Sequence, residues 1–282
     1  MKDDPVHGLR LKSRAVPLEE LIANGGLERA IREGQLTLHY QPKVEMRSGR
    51  TVGLEALLRW RHHLHGMISP EHFIPVAERH GRIHTITRWV LEAVIRQCAS
   101  WRTEGVLVPV AVNLSGLDLA ERELPDYIEA LLKRWDVPSL FIELEITETA
   151  AIGDHQICDE VLSQLSRLGI TVAIDDFGTG YSSLQRLKQL PFTTIKIDKS
   201  FISDTARGSQ EMVFVDTITQ LGHRLGMKVV AEGVECGESW ALLAAAGCDM
   251  GQGYHISRPL PGEMMSRWLR NNVPLSCCAT SG

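Results

Sequence analysis

The chain has 282 residues, 44% of them hydrophobic, and a formal net charge of −5 with acidic and basic side chains interspersed. That size suits one large domain or two small ones, and the charge leaves no basic footprint for wrapping a nucleic-acid polymer, so an anionic substrate has to be met by metal ions or a few placed bases. No apolar run is long enough to span a membrane and none follows Met1–Pro5, so neither a span nor a signal peptide is expected; the six cysteines lack C-x-x-C spacing and read as reduced thiols of a cytoplasmic protein.

Residues 1–24 are polar and mixed and read as a tail or linker, with the compact domain expected over 25–272 and a second tail at 273–282. A short helix at Leu27–Glu33 leads into strands at Leu36–Gln41 and Thr51–Leu58. The run Arg61-His-His-Leu-His65 reads as a solvated loop. Helices at Pro70–His80 and Ile83–Arg102 precede a strand at Leu107–Leu114. After a helix at Asp126–Trp135 come a strand at Phe141–Ile146, a helix at Ile157–Leu168 and a strand at Thr171–Ile174. The pattern continues with a helix at Ser182–Gln189, its start capped by serine, and a strand at Thr194–Ile197. A helix at Gln210–Leu225, a strand at Lys228–Ala231 and a helix at Gly237–Ala246 follow. A short strand around Cys248–Met250 and a last helix at Pro261–Arg270 complete the set. Trp89, Trp101, Trp135, Trp240 and Trp268 fall on helical stretches and are expected to pack rather than stack on bases.

Eight strands alternating with helices predict an α/β chain folded as a (β/α)8 TIM-like barrel. A doubly wound open sheet is the alternative. It would carry a glycine-rich phosphate turn after its first strand, where Gln41-Pro42-Lys43 stands instead.

In such a barrel the C-terminal strand ends converge on one face, where chemistry sits. Those ends carry Glu55, Asn113, Glu145 with Glu148, Asp175 with Asp176, Lys196 with Asp198, Glu232 with Glu235, and Gln252. Packed together without cations, these acids would be strongly destabilising. The donor set is all oxygen, with no cysteine or histidine, and selects Mg²⁺ or Mn²⁺. Neighbouring residues on a strand face opposite ways, so Asp175-Asp176 is expected to have a cation beside it. A two-ion site, with one carboxylate bridging, would activate water for an in-line phosphoryl displacement. Lys196 would then hydrogen-bond the water or offset charge on the phosphorus centre.

The blocks Tyr40-Gln-Pro-Lys43, Glu55-Ala-Leu-Leu-Arg-Trp60, Val112-Asn-Leu-Ser115, Glu145-Ile-Thr-Glu148, Asp175–Leu184, Ile195-Lys-Ile-Asp198, Ala231-Glu-Gly-Val-Glu235 and Gln252-Gly-Tyr254 stand in one order along the chain. In these blocks the sequence resembles the EAL-domain cyclic di-GMP phosphodiesterases. The resemblance implies hydrolysis of cyclic di-GMP to the linear dinucleotide with two Mg²⁺ or Mn²⁺ ions per site. It implies that Glu55, Asn113, Glu145 and Asp175 surround the first ion. Asp175 and Asp176 would hold the second, reached by Glu232 directly or through water. Lys196 would position the water, and Glu148 would brace the loop Asp176–Leu184. Gln41, Leu57 and Arg59 would grip the dinucleotide, with Asp198, Glu235, Gln252 and Tyr254 in support. It further implies an irregular first strand running against the others, a homodimer formed through the helix and loop after the fifth strand, and a regulatory module upstream. A receptor that binds cyclic di-GMP without cutting it, and a barrel metalloenzyme for another phosphate or an enolate, remain as rival readings. The unreplaced metal and water residues favour the hydrolase over the first, and Arg59 with the Glu-Ala-Leu block favours it over the second.

Overall fold

The computed structural model describes residues 16–152, 156–180, 184–202 and 209–272. Its centre is a closed ring of strands in the order β1 (Leu36–Glu45), β2 (Thr51–His62), β4 (Val110–Leu114), β5 (Ile142–Thr147), β6 (Thr171–Phe177), β7 (Thr194–Ile197), β8 (Lys228–Ala231) and β9 (Met250–Gly251), with β9 returning to β1. All neighbours from β2 round to β9 are parallel, whereas β1 is antiparallel to both β2 and β9. The cause is local: β1 and β2 are joined by a tight turn through Gly49 at φ 69°, and strands so joined must run oppositely. The expected barrel and its reversed first strand are both present.

The helices α3 (Pro70–Arg79), α4 (Ile83–Thr103), α5 (Leu124–Trp135), α7 (Gln156–Arg167), α8 (Leu184–Gln189), α9 (Gln210–Arg224), α10 (Gly237–Ala245) and α11 (Gly262–Asn272) surround the ring. Their apolar sides join one core with the strands, in which Leu91, Val94 and Ile95 of α4 are fully buried. Trp101 is buried there as well, while Trp89, Trp135, Trp240 and Trp268 pack against the same core, as expected of helix tryptophans. No helix among the described residues is long and apolar enough to cross a membrane.

Four differences from the sequence reading have physical causes. Within the stretch taken as tail, Leu18–Ala23 forms a helix, α1, whose Ile22 is fully buried against α2 (Gly26–Arg32) and the core. A six-residue helix is marginal alone and forms here because that one face is covered. Only part of the histidine run is a solvated loop: β2 continues to His62, and the turn His63–His65, exposed at His63 and Leu64, leads into a short strand, β3 (Gly66–Ile68). His62 is buried, with its Nδ1 accepting from the Leu64 and His65 amides. β4 starts at Val110 rather than Leu107, because Leu107 is exposed and Pro109 offers only its carbonyl, taken by the Leu54 amide at 2.8 Å. The sequence reading placed no helix between Ile146 and Ile157, yet Glu148 opens a short one, α6 (Glu148–Ile152). The first residues of the expected Ser182–Gln189 helix, with the serine cap, lie outside the described residues.

Candidate active site

Strand alternation sets the site. On β2, Glu55, Leu57 and Arg59 are spaced by two and share a face, and Glu55 lies in register with Gln41 of β1. Asn113 of β4 is in register with Glu145 of β5, and Thr147 of β5 with Asp175 of β6. Lys196 comes from β7, and Glu232 follows the end of β8.

Lys196 is the hub. Its side chain is 1% exposed, and Nζ lies 2.8 Å from Glu145, 3.0 Å from Asp175, 2.6 Å from Glu232 and 3.8 Å from Glu55. The Glu145 contact is a hydrogen bond, whereas Glu232 Oε1 is close but misaligned and ends with no hydrogen bond. Burial would lower the ammonium pKa, yet the four carboxylates hold it well above its ordinary value. Lys196 is therefore a fixed cation, suited to donating hydrogen bonds rather than to removing protons.

The carboxylates divide by their partners. Burial pushes Glu145 up, but Lys196 and Lys43 more than reverse this and bring it to about 2. Glu232 is driven by burial to about 8 despite Lys196. Asp175 and Glu55 are also raised, by burial first and then against Lys196 by neighbouring carboxylates. Glu55 is clamped by Asn113 at 2.8 Å and by Gln252 at 2.5 Å, and Gln252 also donates to Gln41 at 3.1 Å.

Asp175-Asp176 does not obey strand alternation. The pairing of β6 with β7 slips between Ile174 and Phe177, and Asp176 adopts φ 52°. This kink acts as a bulge does and swings the second carboxylate to the same side as the first. Oxygens of Asp175, Asp176 and Glu232 then all lie within 4.8 Å of one another. Three carboxylates this close, one with an orphaned buried oxygen, form a donor set that fits hard divalent cations. The loop after the kink is held by Glu148, which is 2% exposed and accepts from the Gly178 amide at 2.8 Å and the Gly180 amide at 3.2 Å. A Cβ on Gly180 would lie 3.1 Å from that carboxylate, so a small residue lets the chain approach.

Beside the carboxylates opens a cleft of about 520 Å³, lined among others by Leu57, Arg59, Asn113, Ser115 and Asp176. Leu57 and Arg59, which the sequence reading expected to contact substrate, line this cleft. Gln41 and Gln252 are buried: Gln252 braces Glu55, while Gln41 accepts from Gln252 and donates to the Ser257 carbonyl. Tyr254 is exposed, with the Arg258 guanidinium 4.3 Å above its ring. Asp198 interacts with Asp176 and accepts from the Ser200 amide, and Glu235 is exposed at the rim. Lys43 received no role from sequence, although it stands in the Gln41-Pro-Lys43 block. It is 3% exposed and pairs with Glu143 and, at 2.6 Å, with Glu145. The available signal was its spacing of two from Gln41, which turns it inward, set against the Glu143-x-Glu145 alternation.

Residues 25–259 match the family model described as EAL domain. The chain is 42% identical over 248 residues to the bifunctional diguanylate cyclase/cyclic di-GMP phosphodiesterase MucR of Pseudomonas aeruginosa, covering 88% of this chain and 36% of that protein. It is 38% identical over 258 residues to the oxygen sensor protein DosP of Escherichia coli, covering 91% and 32% respectively. The chain therefore spans about a third of the length of the curated relatives it matches. Among solved structures, the PaMucR phosphodiesterase in complex with c-di-GMP superposes with a TM-score of 0.82 at 42% identity, covering 87% of this chain and all of that one. The EAL enzyme Bd1971, in its cAMP and cyclic-di-GMP bound form, gives 0.83 at 30% identity, covering 89% and 69%.

Proposed function

The chain belongs to the EAL domain family, and from that premise we propose that residues 25–272 form a metal-dependent phosphodiesterase that hydrolyses cyclic di-GMP to linear pGpG. The observation that carries the proposal is the fixed Lys196 ammonium set among Glu55, Glu145, Asp175 and Glu232 beside the Arg59-lined cleft. A fixed ammonium next to clustered acids suits a reaction that builds negative charge on phosphorus oxygens. Relatives named as cyclic di-GMP phosphodiesterases support the substrate.

The residues that would hold Mg²⁺ or Mn²⁺ are Glu55, Asn113, Glu145 and Asp175 for one ion, and Asp175, Asp176 and Glu232 for the other. Bound there, two such ions would make water acidic enough to attack near neutral pH and would neutralise the phosphate oxygens. Lys196 donates to the attacking water and holds it in line with the scissile bond. Arg59 takes a phosphate and Leu57 lies against a guanine, while Gln41 and Gln252 support them by keeping Glu55 in place. Asp198 and Tyr254 complete the substrate rim, and Glu148 keeps the loop after Asp176 in its working shape. The reading includes a cytoplasmic homodimer, governed by a regulatory domain of the kind for which the longer relatives leave room.

The test is incubation with cyclic di-GMP and Mg²⁺ or Mn²⁺, repeated with EDTA and with Glu55→Ala, following the linear product by chromatography. Product is expected only from the wild type with metal. Binding of the nucleotide with no product under that condition would leave a receptor and remove the hydrolase.

A further inference from the structure

Below the reacting face, one carboxylate ties two buried lysines together. Glu145 is fully buried; its Oε1 accepts from Lys43 at 2.6 Å and its Oε2 from Lys196 at 2.8 Å. Water cannot replace either donor at zero exposure, so each oxygen depends on its lysine. Asp175 and Glu232, the other close partners of Lys196, are assigned above to metal ions as Glu145 is, but among the described residues only Glu145 has a second lysine to hold it when an ion competes for its charge. Lys196 donates its 2.8 Å hydrogen bond to Glu145, with Asp175 a little farther off at 3.0 Å.

We propose that Lys43 is a positioning residue for the hydrolysis proposed above: from the barrel floor it holds Glu145, and through Glu145 it fixes the Lys196 ammonium at the reacting end. The proposal rests on that functional reading. Across the β1–β2 pair the Lys43 stem lies over Gly53, where an added Cβ would make an ordinary contact with Lys43 Cδ at 3.6 Å. Without Lys43, Glu145 keeps one bare buried oxygen. The carboxylate then turns, either taking Lys196 with it or exchanging Lys196 for an ion. Either motion displaces the group that aims the water, and a displacement near 1 Å is enough to cost about 100-fold in rate.

The competing role for Lys43 is neutralisation of Glu143, its other partner, whose side chain is 17% exposed on a floor cavity of about 270 Å³. The variants Lys43→Met, Glu143→Gln and the double variant separate the two roles. In Mn²⁺, Lys43→Met is expected to lower kcat about 100-fold, with KM for cyclic di-GMP within about threefold of wild type. Glu143→Gln should stay within about threefold in kcat, and the double variant should remain as slow as Lys43→Met. In metal-free protein, the ¹H–¹⁵N resonance of the Lys196 ammonium should shift or broaden in both proteins that lack Lys43 and stay in place in Glu143→Gln. Wild-type kcat in Lys43→Met, or recovery in the double variant, overturns the proposal. If Lys43→Met fails to fold, Lys43→Ala, which also removes the donor and lets the neighbouring side chains close in, is read instead, and wild-type kcat with an unmoved Lys196 resonance overturns it equally. Should the wild type itself not cut cyclic di-GMP, the functional reading falls, while the Lys196 resonance still decides whether Lys43 positions that ammonium.

Discussion

Asp176→Asn should make the metal-free protein more stable while removing its activity. The Asp176 carboxylate lies within 4.8 Å of those of Asp175 and Glu232. At that separation and an effective dielectric of about 20, a pair of full charges would repel by about 3.5 kcal/mol, an upper bound here because Glu232 holds its proton up to about pH 8 and Asp175 is raised as well. Lys196 offsets part of this, and the half-exposed position of Asp176 screens more, leaving a net relief of about 1–2 kcal/mol on neutralisation. Asparagine tolerates the φ 52° that Asp176 adopts, and its amide can donate to Asp198, where two carboxylates now meet. For a domain of this size the gain is a rise of about 2–8 °C in Tm.

The sign with pH follows from the same geometry. Burial, and then Asp198, push the Asp176 carboxyl above its ordinary 3.8, so its ionised form costs stability in the folded state. That cost is absent below the unfolded value and grows as pH rises through the folded one, so the advantage of Asp176→Asn should shrink as pH falls toward about 3.8. Metal reverses the order. At 100 times the dissociation constant, Mn²⁺ adds about 2.7 kcal/mol to the wild type, and a variant lacking one ligand gains less. Thermal or urea denaturation in EDTA and in Mn²⁺ reads both effects. If Asp176→Asn is the less stable protein in EDTA, the repulsion account is wrong; equal Mn²⁺ stabilisation of both proteins removes Asp176 from the ligand set.

Glu148→Ala strips two backbone amides of their acceptor, and kcat should fall roughly 10–100-fold with a smaller change in nucleotide binding measured in EDTA; unaltered kcat would sever the loop from catalysis. Asp249 concerns stability alone. Burial would raise its pKa, but the Val229 amide, His223 and Lys228 outweigh burial and hold it below 3.8. A depressed carboxylate stabilises above its unfolded pKa and loses that contribution as pH falls through the folded one. Asp249→Asn should therefore cost about 1 kcal/mol at pH 7, after allowance for solvent, and the difference from wild type in urea denaturation should narrow below about pH 4.

Where a β-branched run stands between unambiguous turn residues, local sequence was sufficient: Thr194–Ile197 and Lys228–Ala231 are strands at the predicted limits. Where a residue breaks a local rule for a tertiary reason, it was not. The first strand was expected to stop before Pro42, yet β1 runs through it to Glu45. On its outer edge β1 pairs with β10 (Leu260–Pro261) at His39 and Tyr40 and with β9 at Val44 and Glu45. Pro42 occupies the gap between those pairings, where its missing N–H costs the sheet nothing. The strand-end acids were legible because alternation and barrel topology place them together. The kink that turns Asp176 beside Asp175 was not, because nothing in an Asp-Asp pair announces a left-handed residue.

Charge explains why such a core can exist. Glu55, Glu143, Glu145, Asp175, Asp176 and Glu232 converge within the barrel, and the lysines facing them are Lys43 and Lys196. These carboxylates outnumber the two ammoniums that face them. Without ions, protons relieve the imbalance: burial and neighbouring carboxylates push Glu232 up to about 8 and raise Glu55 and Asp175. The acids that the lysines fail to neutralise are the ones driven up, and Glu145, held by both lysines, is driven down. The two lysines thus keep Glu145 ionised without an ion, whereas on the functional reading proposed above the raised carboxylates would release their protons as they took up metal.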